Sequence, residues 1–149
     1  MPTVWTIGYE QASVSQFLAA LTAAGVEVVA DVRAVAASRR PGFAKTALAA
    51  NLASAGIDYV HYRALGTPPE GRAAARAGNH AALERSYSGQ LELPEAIAAG
   101  AALADLAARR RTALLCYEND PSCCHRTLLH EAILPGFAAI DLDPLDPSG

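Results

Sequence analysis

The stretch Val26-Glu27-Val28-Val29-Ala30-Asp31-Val32 decides the fold. It is apolar apart from Glu27 and Asp31, and it is rich in β-branched valine, which favours an extended chain. A strand with one wet face would alternate polar and apolar residues. This one does not, so it is expected to be covered on both faces, as in a parallel sheet with helices on either side.

The flanking sequence agrees. Upstream, Thr3 to Gly8 reads as a short strand. Ser13 and Gln16 have the spacing of a capping box. Val14, Phe17, Leu18 and Leu21 then recur at i, i+3, i+4 and i+7, one face of a helix that Gly25 closes. Downstream, Arg33 to Phe43 reads as a loop, Ala44 to Ala55 as a helix and Ile57 to Tyr62 as a strand. Leu65 to Leu93 opens with Gly66, Pro68, Pro69 and Gly71 and reads mainly as a surface loop, with a lid or excursion over a site as the alternative. Its Ala/Arg run from Arg72 to Arg85 is compatible with helix broken near Gly78. Pro94 and Glu95 suit the first turn of a helix that ends at Arg109-Arg110-Arg111. Thr112 to Tyr117 is a further strand, Ser122 to Leu134 a helix, and Phe137 to Ile140 a short final strand.

Strands alternate with helices throughout. The expected architecture is therefore α/β: a single three-layer domain with a mostly parallel sheet of four to five strands and helices on both faces. That domain is expected over residues 1–141, with an acidic, Pro-rich tail over 142–149.

The chain has 149 residues and a net charge of −3, which disfavours non-specific binding to duplex nucleic acid. No apolar run approaches the roughly 18 residues of a membrane span. The N-terminus lacks the basic and apolar regions of a signal peptide. The three cysteines include the adjacent Cys123 and Cys124, which are poor disulfide partners for each other. Together these features point to a cytoplasmic protein with free thiols.

In open α/β sheets ligands bind beyond the carboxyl ends of the strands. The polar residues concentrate there: Tyr9 and Glu10 after the first strand, Arg33 and Arg39 after the second, and Cys116 and Glu118 after the fourth. Cys124, His125 and Arg126 follow where the next helix begins. With Ser122 as its N-cap, Cys123, Cys124 and His125 fall in the first turn. Free N–H groups and the helix dipole favour a thiolate there.

Glu118, Cys124 and His125 are accordingly the candidate catalytic residues. Tyr9, Glu10, Arg33, Arg39, Cys116 and Arg126 are the candidate ligand-binding residues, since guanidinium forks suit carboxylates and phosphates. Tyr59 and His61 are candidates for the pocket lining. Arg33 has Asp31, Glu118 or a ligand anion as possible partners, whereas Arg40 beside Pro41 is expected to be solvated. Cysteine spacing does not match a structural zinc site, so no metal is assigned. A phosphatase-type loop needs Cys, five residues and Arg. His130 and Ser122 stand where that Arg would follow Cys124 and Cys116. No motif names a cofactor or an oligomeric state.

With these residues in view, the chain resembles the domain of unknown function 488 family. The resemblance rests on Thr6-Ile7-Gly8-Tyr9, on Asp31-Val32-Arg33 with Ser38-Arg39 and Phe43, and on Gly56-Ile57-Asp58-Tyr59. It continues through Leu65-Gly66 to Leu115-Cys116-Tyr117-Glu118 with Cys124-His125-Arg126. Ala36 departs from the pattern, where members often carry a proline. The resemblance implies an α/β fold with one shared polar site and brings no substrate with it.

Three readings of that site follow. In one, an enzyme acts on a small anionic or nucleotide-like ligand held by the arginines, with Glu118 or Cys124 doing the chemistry. In another, the same residues form a non-catalytic ligand- or metal-binding module. In the third, Arg33, Glu118 and Arg126 form only a structural ion-pair network.

Overall fold

Both faces of Val28–Asp31 are buried, as its valines require. The computed structural model describes residues 2–118 and 125–146. Along the chain come β1 (Thr3–Gly8), α1 (Val14–Ala23), β2 (Val28–Asp31), α2 (Lys45–Ser54), β3 (Asp58–His61), α3 (Pro69–Arg76), α4 (His80–Leu91), α5 (Pro94–Arg109), β4 (Thr112–Cys116), α6 (Arg126–Ile133) and β5 (Ala138–Leu142). The sheet has five strands in the order β3-β2-β4-β1-β5, and every pairing is parallel.

β4 lies at the centre with all its residues buried, and it pairs Asp31 with Leu115 and Gly8 with Cys116. The less apolar β3 and β5 form the edges and are partly exposed. β5 runs on to Leu142 rather than stopping at Ile140, and the Thr6 hydroxyl donates to the Asp141 carboxylate.

Two clusters of buried side chains define the layers. Phe17 and Leu21 of α1 and Leu48 and Leu52 of α2 pack with Ile7, Val29 and Leu115 on one face. Tyr87 of α4, Leu103 of α5 and Leu129 of α6 pack with Val4, Ala30 and Leu114 on the other. Each side chain so buried contributes about 1.5–3 kcal/mol. That burial holds α2 in place, whose N-cap position, Ala44, makes no side-chain capping bond. The capping box of Ser13 and Gln16 is present as expected.

The segment read mainly as a surface loop is a pair of helices, with the break near Gly78 that its Ala/Arg run allowed. A 3-10 turn at Arg63–Leu65 leads into α3 and α4, which contact each other. Gly78 separates them at φ 72°, a conformation costly to residues with a Cβ. The Asn79 side chain then caps α4 by accepting from Ala82 N–H. The Ala/Arg run hides these helices from a periodicity reading because it buries few large side chains, chiefly Leu83 and Tyr87. Intrinsic propensity supplies the rest, since Ala and Arg are among the best helix formers.

α6 begins at Arg126 with His125 at its N-cap, so His125 does not lie in the first turn. Ser122, Cys123 and Cys124, to which the expected cap and thiolate were assigned, lie outside the described residues. Among the described residues, no helix is long and apolar enough to cross a membrane.

The topology opens a crevice. The chains leaving β1 and β2 lead to α1 and α2 on one face, whereas the chain leaving β4 leads to α6 on the other. Because β4 lies between β1 and β2, the chains part at the carboxyl ends of these three strands. Such a parting is where α/β folds hold ligands.

Candidate functional site

The end of β2 is tied down from all sides. The Asp31 carboxylate, fully buried, accepts from Arg33 Nε at 2.9 Å and from Arg33 Nη2 at 2.7 Å, a bidentate pair. It also accepts from the Arg33 backbone N–H at 3.1 Å and from the Tyr59 hydroxyl at 2.5 Å. Arg33 Nη1 donates to the Tyr9 hydroxyl and to the Phe43 carbonyl. Burial opposes the Arg33 charge, but the hydrogen bonds and charge of Asp31 outweigh it and strengthen the cation's hold on its proton. Burial, then the bond to Asp31, pushes the Tyr59 hydroxyl up as well. Of the partners weighed for Arg33, the structure assigns Asp31.

Two histidines complete this floor. His61 Nε2 donates to the Arg33 carbonyl at 2.8 Å, and His125 Nε2 donates to the Val32 carbonyl at 2.7 Å. A carbonyl only accepts, so both rings carry their proton on Nε2. Tyr87 stands against the His125 ring at 5.0 Å and donates its hydroxyl to the Leu65 carbonyl at 2.6 Å. Burial lowers the His125 pKa to about 4, against a smaller raising effect from the Val32 bond. His125 is therefore neutral at pH 7, and this geometry gives it a positioning part.

A pH dependence follows. The unfolded chain protonates this histidine near the ordinary value of 6.5, the folded chain only near 4. The unfolded state thus binds more protons between these values, and stability falls as pH drops through that window. At about 1.4 kcal/mol per pH unit, the loss totals roughly 3 kcal/mol. Urea titrations of wild type and His125→Gln from pH 7 to pH 4 check this. The variant's stability should change with pH by about that much less.

On the β1 side, Tyr9 is buried and stacks on Phe43 at 4.5 Å, with Tyr117 edge-on at 5.3 Å. The backbone N–H groups of Tyr9 and Glu10 both donate to the Tyr117 carbonyl, which ties β1 to the end of β4. Tyr9 is thereby held as wall and floor.

Above this floor lies a cavity of about 380 Å³. Tyr9, Arg33, Arg39, Cys116, Glu118 and His125 all line it, so separate strand ends do converge. Arg40, Thr67 and Arg72 line it too, and the sequence reading had not placed them there. Arg40 is not simply solvated: it is half-buried, lies over the Phe43 ring at 5.8 Å and donates to the Ala12 carbonyl. Arg72 reaches in from α3 and donates to the Thr67 carbonyl at 3.0 Å. Its signal was the Pro68-Pro69-Glu70 start of a helix, masked by the loop reading. Among the described residues, Arg39, Arg40 and Arg72 pair with no carboxylate.

Glu118 is the carboxylate of the cavity. Burial raises its pKa and Glu10 raises it further, while Arg126 and Arg76 pull the other way. A carboxyl so poised holds its proton more readily than an exposed one. Arg126 is fully buried and donates through Nη2 to the Glu118 carbonyl at 2.6 Å, which fixes the chain that carries Glu118. Cys116 Sγ lies 3.5 Å from Glu118 Oε2. Cys116 is disulfide-bonded, which corrects the expectation of a free thiol at that position. Among the described residues, no group of three His, Cys, Asp or Glu side chains is placed to hold a metal ion.

A family model described as domain of unknown function DUF488 matches residues 13–133. No curated protein and no solved structure matches the chain.

Proposed function

We propose that this chain, which belongs to the DUF488 family, binds a small anionic or nucleotide-like ligand in the cavity above β1, β2 and β4 and acts on it with Glu118 as the acid. One observation carries this reading. Arg39, Arg40 and Arg72 come from two segments to one cavity and are matched by no carboxylate partner among the described residues. A chain with net charge −3 has acids to spare for pairing, so a local excess of guanidinium groups argues for an anion from outside.

The parts then divide. Arg39 and Arg72 hold the anion, and Arg40 bounds it from the Ala12 side. Arg33 serves the site from beneath, by holding Asp31, Tyr9 and Phe43 in place. Burial makes Glu118 hold its proton more readily than an exposed carboxyl, which suits it to give a proton to a leaving or bridging oxygen.

The test is a thermal-shift panel of nucleotides and sugar phosphates on wild type and Arg72→Ala. At about a hundred times its dissociation constant, a true ligand should raise the wild-type Tm by about 5–10 °C. Arg72→Ala should lose most of that rise while keeping its own ligand-free Tm close to wild type. A flat response across the whole panel would overturn the reading. Glu118→Gln should keep the shift but lose turnover of any ligand found to react.

A further inference from the structure

A second cleft of about 450 Å³ adjoins the cavity, and Ala34, Val35, Thr67 and Arg72 line both. The cleft adds one more guanidinium, Arg63, from the turn before α3. We propose that the ligand carries two anionic groups on one molecule, with Arg72 standing between them: an organic bisphosphate rather than a monophosphate. This rests on the anion-binding reading above and deepens it.

The placement of Arg72 is the main ground. Its Nη1 bond to the Thr67 carbonyl is the one hydrogen bond its guanidinium makes among the described residues. That bond fixes the head on the wall shared by the two spaces. The remaining N–H groups of a guanidinium fan out in one plane, so one head can serve an acceptor on either side.

Arg63 is the second ground. It is exposed, and among the described residues its side chain makes no ion pair or hydrogen bond. Glu95, the carboxylate lining this cleft, is paired with neither Arg63 nor Arg72. A single anion in the deep cavity would meet Arg39, Arg40 and Arg72 and leave Arg63 unused across the wall.

Between the two spaces stands Val35, 56% exposed, an apolar surface over which an organic spacer can lie. Gly66 makes the wall thin, because it lies directly against the Ala34 backbone.

The test is calorimetry on the full chain at fixed ionic strength, using matched pairs. Adenosine 5′-monophosphate is compared with adenosine 3′,5′-bisphosphate, and fructose 6-phosphate with fructose 1,6-bisphosphate. At least one bisphosphate should bind about ten-fold tighter than its monophosphate, the worth of one charge-assisted hydrogen bond. Arg63→Ala should erase that advantage and leave the monophosphate's affinity unchanged. A bisphosphate that binds no tighter, or an advantage that survives Arg63→Ala, overturns this inference and leaves the anion site standing. If neither member of either pair binds, both this inference and the reading beneath it fall.

Discussion

Asp31→Asn is expected to lower the stability of the fold by about 3–5 kcal/mol, the cost of breaking one partner of a buried ion pair. The carboxylate takes two bonds from the Arg33 fork and one from the Arg33 backbone, all buried, and a fourth from the half-buried Tyr59. Asparagine keeps the shape but removes the charge and turns an N–H₂ toward a donor. Arg33 is then a buried cation without its counter-charge. Against a typical total stability of about 5–15 kcal/mol, such a loss takes a large share.

Urea unfolding measures it, and two further variants guard against a protein too unstable to read. Tyr59→Phe removes a single bond and should cost about 1 kcal/mol. The double variant Asp31→Asn/Arg33→Met should be less destabilised than the sum of its singles, because it leaves no unpaired charge. An Asp31→Asn protein within about 1 kcal/mol of wild type would contradict the central place given to this pair.

Gly66→Ala should be about as damaging, at or above the upper end of the roughly 1–3 kcal/mol usual for overpacking. A Cβ on Gly66 would overlap the backbone N and Cα of Ala34 and also its Cβ. No flexible side-chain end is there to swing away. Either the loop after Arg33 or the turn before α3 must move, and both carry walls of the cavity. The expected result is a lower Tm together with weaker anion binding, whereas Gly89→Ala, inside α4 with nothing within 4 Å of its Cβ, should leave binding unchanged and the Tm no lower. An unaltered Tm in Gly66→Ala would show that the two segments separate at little cost.

This close approach also explains why a Leu65-Gly66 pair marks the sequence at all. Leu65 is a fully buried core residue whose carbonyl accepts from Tyr87, and Gly66 admits the neighbouring loop. Neither role shows in composition.

Other parts were legible. The valines of β2 announced a strand buried on both faces, and the parallel sheet follows from the alternation of strands with helices. From that sheet the convergence of Tyr9, Arg33, Arg39, Glu118 and His125 on one cavity was accessible without coordinates. What stayed hidden depends on direction. Spacing does not say that the Arg33 fork turns back onto Asp31, two residues away, rather than toward Glu118. Nor does it say that an Ala-rich pair of helices brings Arg72 over the site. The α3–α4 pair was legible only as an Ala/Arg run compatible with helix broken near Gly78, because its helicity comes from propensity more than from an apolar stripe. Arg40 escaped because a neighbouring proline suggested a solvated turn, while its guanidinium lies over Phe43.

The claim that the cavity arginines hold an anion is tested most directly by diffraction from crystals of the full chain grown with tungstate, a phosphate-like anion with a strong anomalous signal. The account predicts one dominant anomalous peak within hydrogen-bonding distance of Arg72 and of Arg39 or Arg40, lost in Arg72→Ala crystals. Arg109, Arg110 and Arg111 supply an internal control at the opposite end of the sheet, where Arg109 and Arg110 are already paired with Asp105 and Asp58. Peaks confined to that cluster, with none in the cavity, would contradict the account.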